Sequence, residues 1–438
     1  MSSLDNFFLF LTNLESILWG YLGFGAVLLI GLYLTLKSKF YQFRIVFNPK
    51  KVFLELKNSD RSSDRGIHPL KLYFASLGGM IGLGNIVGVT IAVVIGGPGA
   101  LFWLWITSIF GMVIKYAEIY LGIKYRTHNA RGGFDGGPMY YLEVAFGGNK
   151  IIPYLVCIFL CIYGTEVFQF TVLSDTLSKT LNIDKSFTVF ALLFAVIFGA
   201  IGGVARLSNI CTTVLPIFML AYISMCIWII AINYSNLFII FPEIFHCAFN
   251  GHAAIGGFAG STMIIAAQQG ISRAVYSGDI ATGYDSIILS ETTVLQPEKQ
   301  ARIAIFSLLI DGFICTLSCL LLLTTGMWKI QTNMQVSEYI PTILGQYFSY
   351  AEIFSSSLIT IVAYVTTTGY LVVGLKCAKY LNKKFGEKLY LTYSICAFIL
   401  CSFYDQTSVM LVMSISGGML LLLNLIGIIK LRNIIKFK

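Results

Sequence analysis

Long apolar runs separated by short polar segments dominate the chain. Eleven of these runs approach or exceed the roughly 20 residues that an α-helix needs to cross the hydrocarbon core of a bilayer. They cover residues 16–36, 70–95, 99–123, 151–177, 187–205, 209–233, 254–279, 303–326, 353–376, 389–404 and 408–430. The pattern therefore predicts an all-α polytopic membrane protein with about eleven transmembrane helices.

Composition supports a membrane protein, since 57% of the 438 residues are hydrophobic and only 12% are charged, whereas soluble domains carry about 25% charged residues. The net charge is +9. If the N-terminus lies outside, every lysine and arginine falls on the inner side except Lys179, Lys185 and Lys329. Because basic residues concentrate in cytoplasmic loops, we expect an outer N-terminus and a cytoplasmic C-terminus. The positive charge then faces the inner leaflet, and we expect no nucleic-acid partner.

The basic segment Phe40–Arg65, in which Phe and Val alternate with charged residues, permits two interpretations. It is either an amphipathic helix on the inner membrane surface or an ordinary cytoplasmic connector. The pattern alone does not choose between them.

Two of the predicted spans are unusually rich in glycine. One contains Ser76–Gly88, and the other contains Gly256–Thr262 and Tyr276–Asp279. Glycine weakens a helix by up to about 1 kcal/mol relative to alanine, and irregular backbone inside a bilayer survives where it lines a cavity. Broken helices at corresponding positions of two halves indicate a transporter's binding site. Close helix packing through small residues is the alternative, although packing does not require the polar amide of Asn85.

The positions of the two glycine-rich spans predict how the chain is organised. Residues 1–68 form an extra N-terminal helix and a basic connector, residues 69–430 form a single transporter domain, and residues 431–438 form a basic tail. Within the domain, the halves 69–233 and 254–430 have five spans each. An odd number of spans turns the second half over, so we expect an inverted five-plus-five repeat.

Ionisable residues within spans are functional candidates, because a charge at the bilayer centre costs about 2.5–3.5 kcal/mol on insertion scales. Lys115 and Glu118 are three residues apart on one helix, so we expect them to pair, for structure or gating. The other candidates are Glu166, Asp279 and Asp311.

Amide and hydroxyl side chains extend this set. Gln169 follows Glu166 by three residues, and Ser355–Ser357 and Thr366–Thr368 lie in the ninth span. A cation such as Na⁺ binds oxygens of this kind together with carbonyls freed by a broken helix; hydrogen bonds to the preceding helical turn explain such hydroxyls equally well. The sequence has no Walker loop, dinucleotide fingerprint, zinc-binding His pair or nucleophile elbow. We therefore expect neither an enzyme nor a bound cofactor.

The chain resembles the alanine/glycine:cation symporter family in a series of motifs with matching order and spacing. They are Gly82-Leu-Gly-Asn-Ile-Val-Gly-Val89, Gly96-Gly-Pro-Gly-Ala-Leu-Phe-Trp-Leu-Trp105, Lys115-Tyr-Ala-Glu118, Lys124-Tyr-Arg126 and Gly136-Gly-Pro-Met-Tyr-Tyr141, with weaker matches at Gln169, Asp311 and Gly369–Cys377. The resemblance implies a LeuT-type fold of ten core helices preceded by one extra helix. It also implies Na⁺- or H⁺-driven uptake of small neutral amino acids in a bacterial inner membrane.

Departures from the family pattern fall on pocket positions. Leu83 replaces the Thr of a Gly-Thr-Gly-Asn motif, and Tyr370 replaces a Trp. In the second broken helix, Gly278 replaces an Asn and Asp279 replaces a Glu. The scaffold motifs are kept, so we expect transport to be retained, and the altered positions leave the preferred amino acid open.

The resemblance places the substrate at the bilayer midplane between the second and seventh spans. Its carboxylate would meet backbone N–H groups at a helix N-terminus, where the helix dipole favours an anion. The expected substrate-binding residues are Leu83, Gly84 and Asn85 for the carboxylate, Tyr276, Ser277 and Gly278 for the ammonium, and Gln169 and Tyr370 at the side-chain end. The expected cation ligands are carbonyls of Gly79 and Gly82 with the hydroxyl of Thr366 or Thr367.

Other functions are compatible with the same spans. A non-transporting sensor or scaffold of this fold is one alternative, and a channel or a membrane-embedded enzyme are others. A channel requires a continuous polar pathway, whereas the intramembrane polar groups cluster near one depth. The partners we expect are the lipid bilayer and an amino acid, with no oligomer required.

Overall fold

The computed structural model describes residues 3–57, 66–129, 132–250, 263–329, 334, 336–403 and 406–437. Helices account for nearly all of the regular structure, and one small antiparallel hairpin pairs β1 (Thr127–His128) with β2 (Phe134–Asp135). The helices are α1 (Ser3–Ile17), α2 (Phe24–Lys37), α3 (Tyr41–Val46), α4 (Pro49–Lys57), α5 (Pro69–Met80), α6 (Val89–Gly96), α7 (Gly99–Lys124), α8 (Pro138–Ala145), α9 (Ile151–Tyr163), α10 (Val167–Leu181), α11 (Lys185–Ile201), α12 (Gly203–Ile232), α13 (Tyr234–Asn250), α14 (Met263–Gly278), α15 (Tyr284–Ile288), α16 (Pro297–Ala301), α17 (Ile303–Thr325), α18 (Tyr339–Tyr347), α19 (Ala351–Leu381), α20 (Gly386–Ser402) and α21 (Gln406–Lys430). Two π-helical turns, Leu18–Gly23 and Gly84–Gly88, and three 3₁₀ turns, Leu289–Glu291, Met327–Lys329 and Val336–Glu338, complete the elements.

Seven helical stretches in the described residues are long and apolar enough to cross a bilayer, and an eighth is a bent pair. Three other predicted spans correspond to α11, α14 and α20, which have 17, 16 and 17 residues. The polytopic all-α class is confirmed, whereas the count of eleven and the boundaries of the two repeats stay predictions. The seven stretches are Asn6–Lys37, Gly99–Lys124, Ile151–Leu181, Gly203–Ile232, Pro297–Thr325, Ala351–Leu381 and Leu411–Lys430.

The first predicted break is present between α5 and α6. The segment Pro69–Met80 bends by 46° relative to Gly84–Gly96, and Ile81 between them is extended. The side chain of Asn85 stabilises the bend, because its Oδ1 accepts from the N–H of Gly82 at 3.0 Å. Glycine permits the irregular backbone, and the asparagine satisfies a donor that the broken helix leaves open.

The second predicted break follows α14. Asp279 and Ala281 have left-handed backbones with φ of 49° and 55°, and Gly283 has φ of 106°. Because left-handed residues cannot continue an α-helix, the chain turns here before α15 begins. The part of this prediction that concerned Gly256–Thr262 lies outside the described residues.

A third break, which the sequence pattern did not predict, divides the fourth span. Glu166 has a left-handed φ of 47° and separates α9 from α10. The apolar run 151–177 conceals this kink, and its consequence is to place a carboxyl at mid-span.

The extra N-terminal segment packs tightly onto the rest of the molecule. A Cβ at Gly31 of α2 would come within 2.5 Å of Phe110 in α7, so these helices approach as closely as glycine allows. The indole Nε1 of Trp19 donates to the carbonyl of Ser414 in α21 at 3.2 Å. The segment is therefore part of the folded body.

The basic connector is helical where it is described. In α4, Val52 and Leu56 are buried while Leu54 is exposed. Arg302 joins the connector to α17, since its Nη1 lies 2.5 Å from Glu55 Oε2 and its Nε donates to the hydroxyl of Tyr41 at 3.1 Å. The described connector is therefore an amphipathic helix packed on the protein, and the choice between a membrane-surface helix and an ordinary connector stays open.

Candidate functional site

The two predicted broken helices meet at Gly84. A Cβ at this position would lie 3.2 Å from the ring of Tyr276 and 3.3 Å from the Cα of Ser277. Only glycine lets the two irregular segments approach so closely without displacing a neighbour. The structure thus brings together Gly84, Tyr276 and Ser277, as the sequence predicted, and Leu83 is fully buried beside them.

A hydrogen-bonded cluster ties this meeting point to α17. Asn85 Nδ2 donates to Asp311 Oδ1 at 2.7 Å and approaches Cys315 Sγ at 3.2 Å. Ser277 Oγ donates to Asp311 Oδ2 at 3.2 Å. The N–H of Asn85 donates to the carbonyl of Gly82 at 3.2 Å, so the Asn85 amide groups serve the bend itself. Asp311 therefore holds both broken segments in place through one carboxylate.

The kink in the fourth span supplies a second cluster. Tyr276 donates its hydroxyl proton to Glu166 Oε2 across 3.2 Å. Gln169, one helical turn further, has a buried Oε1 with no partner among the described residues. A Cβ at Gly82 would lie 3.1 Å from that oxygen. Gln169 therefore adjoins the first break, with a buried acceptor that has no partner in the described part of the chain; its place at the side-chain end of a substrate stays a prediction.

Tyrosine rings enclose the same region. Tyr163 lies with ring centroids 6.2 Å from Tyr276 and 5.4 Å from Tyr370, and Tyr284 lies 4.5 Å from Tyr370. The Tyr370 hydroxyl donates to Asp279 Oδ1, and Asp279 Oδ2 has no hydrogen-bond partner among the described residues. Tyr370 is thus joined to the second break, and its contact with the substrate stays a prediction.

Thr366, one of the predicted cation ligands, lies beside the first break. Thr366 Oγ1 donates to the carbonyl of Gly78 at 2.9 Å, and a Cβ at Gly82 would lie 2.9 Å from the same hydroxyl. Gly79 packs against the ring of Tyr284. Thr367 Oγ1 is buried and has no partner among the described residues. By contrast, Ser355 and Ser357 of the same span hydrogen-bond to the preceding helical turn, which is the ordinary structural role of such hydroxyls.

The expected pair between Lys115 and Glu118 is wrong. Lys115 Nζ lies 2.5 Å from Asp285 Oδ2, donates to the carbonyl of Gly278 at 2.5 Å and contacts Met80 Sδ at 3.0 Å. Glu118 accepts from the hydroxyl of Ser286 at 3.1 Å instead. A lysine is favoured at a helix C-terminus, where carbonyls are unsatisfied and the dipole is negative. Gly278 ends α14, so this tertiary partner prevails over the local one.

Asp285 was not among the predicted residues. It is fully buried and falls between the seventh and eighth predicted spans. Its signal is the polar pair Asp285-Ser286 placed directly before the apolar run Ile287-Ile288-Leu289.

A cavity of about 980 Å³ reaches from the N-terminal helix to the rings of Tyr163 and Tyr276. Arg273 lines it, although the charge distribution had assigned this residue to the inner side together with the cytoplasmic connectors. Arg273 belongs to the continuous helix α14 and shares the cavity with Phe8 of α1. The membrane side of Arg273 stays a prediction. Glu15, which also lines the cavity, was not predicted as a site residue.

The sequence pattern of the sodium:alanine symporter family matches residues 4–437. An uncharacterized transporter from Haemophilus influenzae is 30% identical over 97% of this chain and 94% of its own length. The sodium/alanine symporter AgcS of Methanococcus maripaludis is 29% identical, with the same 97% and 94% covered.

Among solved structures, MhsT in complex with L-phenylalanine superposes with a TM-score of 0.55 at 14% identity. The match covers 82% of this chain and 89% of that one, and it concerns the fold alone. The LeuT-type fold is confirmed, and fold and family are those of membrane transporters rather than enzymes. The chain belongs to the sodium:alanine symporter family.

Proposed function

We propose that this chain is a secondary active transporter that couples the downhill movement of Na⁺, or of H⁺, to the symport of a small neutral amino acid such as alanine or glycine. The observation that carries the proposal is the contact of the two broken helices at Gly84, within a family of cation symporters. Broken helices of this kind expose backbone N–H and C=O groups at the bilayer midplane, where an amino acid and an ion need ligands.

The amino acid would lie across the two breaks. Its carboxylate would meet the N-terminal end of the π-helical turn Gly84–Gly88, next to Leu83, where the helix dipole favours an anion. Its ammonium would lie towards Tyr276 and Ser277. The carbonyl of Gly278 already accepts from Lys115, which fixes the end of α14 against the site.

The side-chain end of the substrate would face Gln169 and Tyr370. The buried Gln169 Oε1 has no partner in the described part of the chain, so it is available to a polar substrate group. Tyr163 and Tyr284 narrow this end of the site by their contacts with Tyr370. Enclosure by aromatic rings favours a small side chain over a large one.

The driving cation would lie between the carbonyls around Gly79 and Gly82 and the hydroxyls of Thr366 and Thr367. The two helices concerned are already joined by the hydrogen bond from Thr366 to Gly78. A cation bound there would favour the arrangement in which the first break packs against α19. The difference in ion affinity between this arrangement and the opposite one would set the coupling in alternating access.

The first test is uptake by purified protein in liposomes with an inward Na⁺ gradient, using radiolabelled alanine, glycine, serine and glutamine. Symport predicts accumulation that collapses when the gradient is dissipated. No uptake under Na⁺ or H⁺ gradients, from protein that remains monodisperse, would favour a non-transporting sensor or scaffold. Uptake that never exceeds equilibrium would favour a channel.

The substrate site is tested by Gly84→Leu. A side chain at this position must collide with Tyr276 and Ser277, so uptake should be lost while membrane insertion is kept. Gly345→Leu is the matched control, because no atom lies within 4 Å of a Cβ at this exposed helical position. If the Gly84 variant retains uptake, the assignment of the substrate to this place is contradicted.

The cation site is tested by Thr366→Val, which removes the hydroxyl and leaves a side chain of nearly equal volume. The Na⁺ concentration for half-maximal uptake should rise by about tenfold, as expected for one lost oxygen ligand. Thr360→Val in the same helix is the control, because the Thr360 hydroxyl bonds only to the preceding turn in the described structure, at the carbonyl of Ser356. An unchanged Na⁺ dependence in the Thr366 variant would contradict the assignment.

A further inference from the structure

The cavity beside the proposed substrate site has walls from several parts of the chain. It is lined by α1 and the π-helical turn Leu18–Gly23, by α6, α10, α14 and α21, by the turn Val336–Glu338, and by Tyr163 of α9, and Tyr276 is among its α14 residues. Its volume of about 980 Å³ falls within the range of small-molecule sites. Because Tyr276 also contacts Gly84, the cavity adjoins the central site through one side chain.

Opposite charges line this cavity from different helices. Arg273 of α14 has an Nε with no hydrogen-bond partner among the described residues. Gln269, one turn earlier, has a buried Oε1 that likewise lacks a partner there. Glu15 of α1 lines the same cavity. The described structure places no carboxylate oxygen within salt-bridge distance of Arg273, so Arg273 and Glu15 line one cavity without pairing with each other.

The acidic wall is held firmly in place. Glu15 Oε1 accepts from Ser414 Oγ at 2.6 Å, and Trp19 donates to the carbonyl of the same serine at 3.2 Å. The π-helical turn places Gly20 against the Gln268 side chain, where a Cβ would lie 3.5 Å from its oxygen. π-helical turns often mark functional positions in helices. The extra N-terminal segment is thus fixed to α21 and α14 with its carboxylate facing the cavity.

We propose that this cavity is a separate binding site for an α-amino acid zwitterion, in which Arg273 takes the carboxylate and Glu15 takes the ammonium. A guanidinium provides the forked, charge-assisted hydrogen bonds that a carboxylate accepts. The extra N-terminal helix supplies half of the site, so it takes part in transport rather than in packing alone. The inference rests on the proposed function, since the ligand is the transported amino acid held before it passes Tyr276.

The test measures protection of an introduced cysteine. Thr12 lines the cavity and is exposed, so Thr12→Cys is labelled with a membrane-impermeant methanethiosulfonate, and labelling at residue 12 is read by peptide mass spectrometry. Alanine and glutamine are the probes. The labelling is repeated in a chain that also carries Gly84→Leu, which closes the central site. We expect the amino acid to slow labelling in both chains.

Arg273→Gln and Glu15→Gln then remove each charge separately. Each should raise the amino-acid concentration for half protection by about tenfold or more, because a charge-assisted hydrogen bond is lost. Arg206→Gln is the control; Arg206 donates to the carbonyl of Phe198 at 2.5 Å and does not line the cavity. The two variants lie on different helices, so misfolding of one leaves the other to test the site.

Two results would overturn the inference while leaving the proposed function intact. One is protection in the transporting chain that disappears with Gly84→Leu, since the ligand would then bind only at the central site. The other is an amino-acid concentration for half protection that stays unchanged in both Arg273→Gln and Glu15→Gln. If the chain that carries only Thr12→Cys shows neither uptake nor protection, the proposed function is overturned as well.

Discussion

The ion pair between Lys115 and Asp285 offers a quantitative test of how the broken helices are held. Both side chains are fully buried, 2.5 Å apart. Lys115→Met leaves the Asp285 carboxylate without its cation, and Asp285→Asn leaves the ammonium without its anion. Removing one partner of a buried pair costs about 3–5 kcal/mol, because the remaining charge has no compensation. Each single variant should therefore be destabilised by this amount.

The double variant Lys115→Met/Asp285→Asn should recover most of this loss. It contains neither charge, so the desolvation penalty disappears together with the attraction. What remains is the carbonyl of Gly278, which loses the donor that Lys115 provides; an unsatisfied buried acceptor costs about 1–3 kcal/mol. We therefore expect the double variant to be about 1–3 kcal/mol less stable than the parent and more stable than either single variant.

The assay is unfolding in mixed micelles by increasing mole fraction of a denaturing detergent, followed by tryptophan fluorescence and analysed as a double-mutant cycle. The control cycle uses Lys179 and Glu338, whose atoms lie 3.3 Å apart but whose side chains are 65% and 44% exposed. An exposed pair should show coupling below about 1 kcal/mol. Additive effects at Lys115 and Asp285, like those at the control, would refute the role given to the buried pair.

Two further predictions concern helix packing and the loop of residues 290–294. Gly374→Ala should destabilise the protein by about 1–3 kcal/mol, since its methyl group would overlap the ring of Tyr390. Gly345→Ala, at an open helical site, should instead stabilise the protein by up to about 1 kcal/mol. The same detergent titration measures both variants, and equal unfolding midpoints would contradict the packing. Arg126→Gln should lower stability by about 2–4 kcal/mol, because Arg126 donates to three backbone carbonyls in residues 290–294. Faster proteolysis of that segment should accompany the loss, and an unchanged cleavage rate would contradict the assigned role.

The sequence predicted the first break well because its cause is local. Glycines around Met80 allow irregular backbone, and Asn85 provides the side chain that satisfies it within three residues. The kink at Glu166 was missed because the surrounding run is apolar and nothing near it requires a left-handed residue. The number of spans is also hard to predict, because α11, α14 and α20 are too short to be assigned as membrane spans by length alone.

Side-chain partners distant in sequence were harder to predict. The spacing of Lys115 and Glu118 satisfies the usual rule for neighbours on one helix, yet each takes its partner from the segment that follows the second break. That segment cannot be placed until the fold is known. The pairing rule therefore failed where a broken helix supplied a stronger partner than the helix itself.

The departures from the family pattern acquire a physical meaning in the fold. Tyr370 and Asp279 each replace a different residue of that pattern, and the structure joins them by a hydrogen bond from the tyrosine hydroxyl to the carboxylate. A shorter acid and a phenol thus occupy the place of a longer acid and an indole, and they touch one another. Meanwhile Lys115, which fixes the end of α14, keeps its family motif. Two of the substituted residues therefore contact one another within the proposed site, whereas Lys115 keeps both its motif and its contact with the end of α14, so we expect the preferred amino acid to depend on the substituted pair.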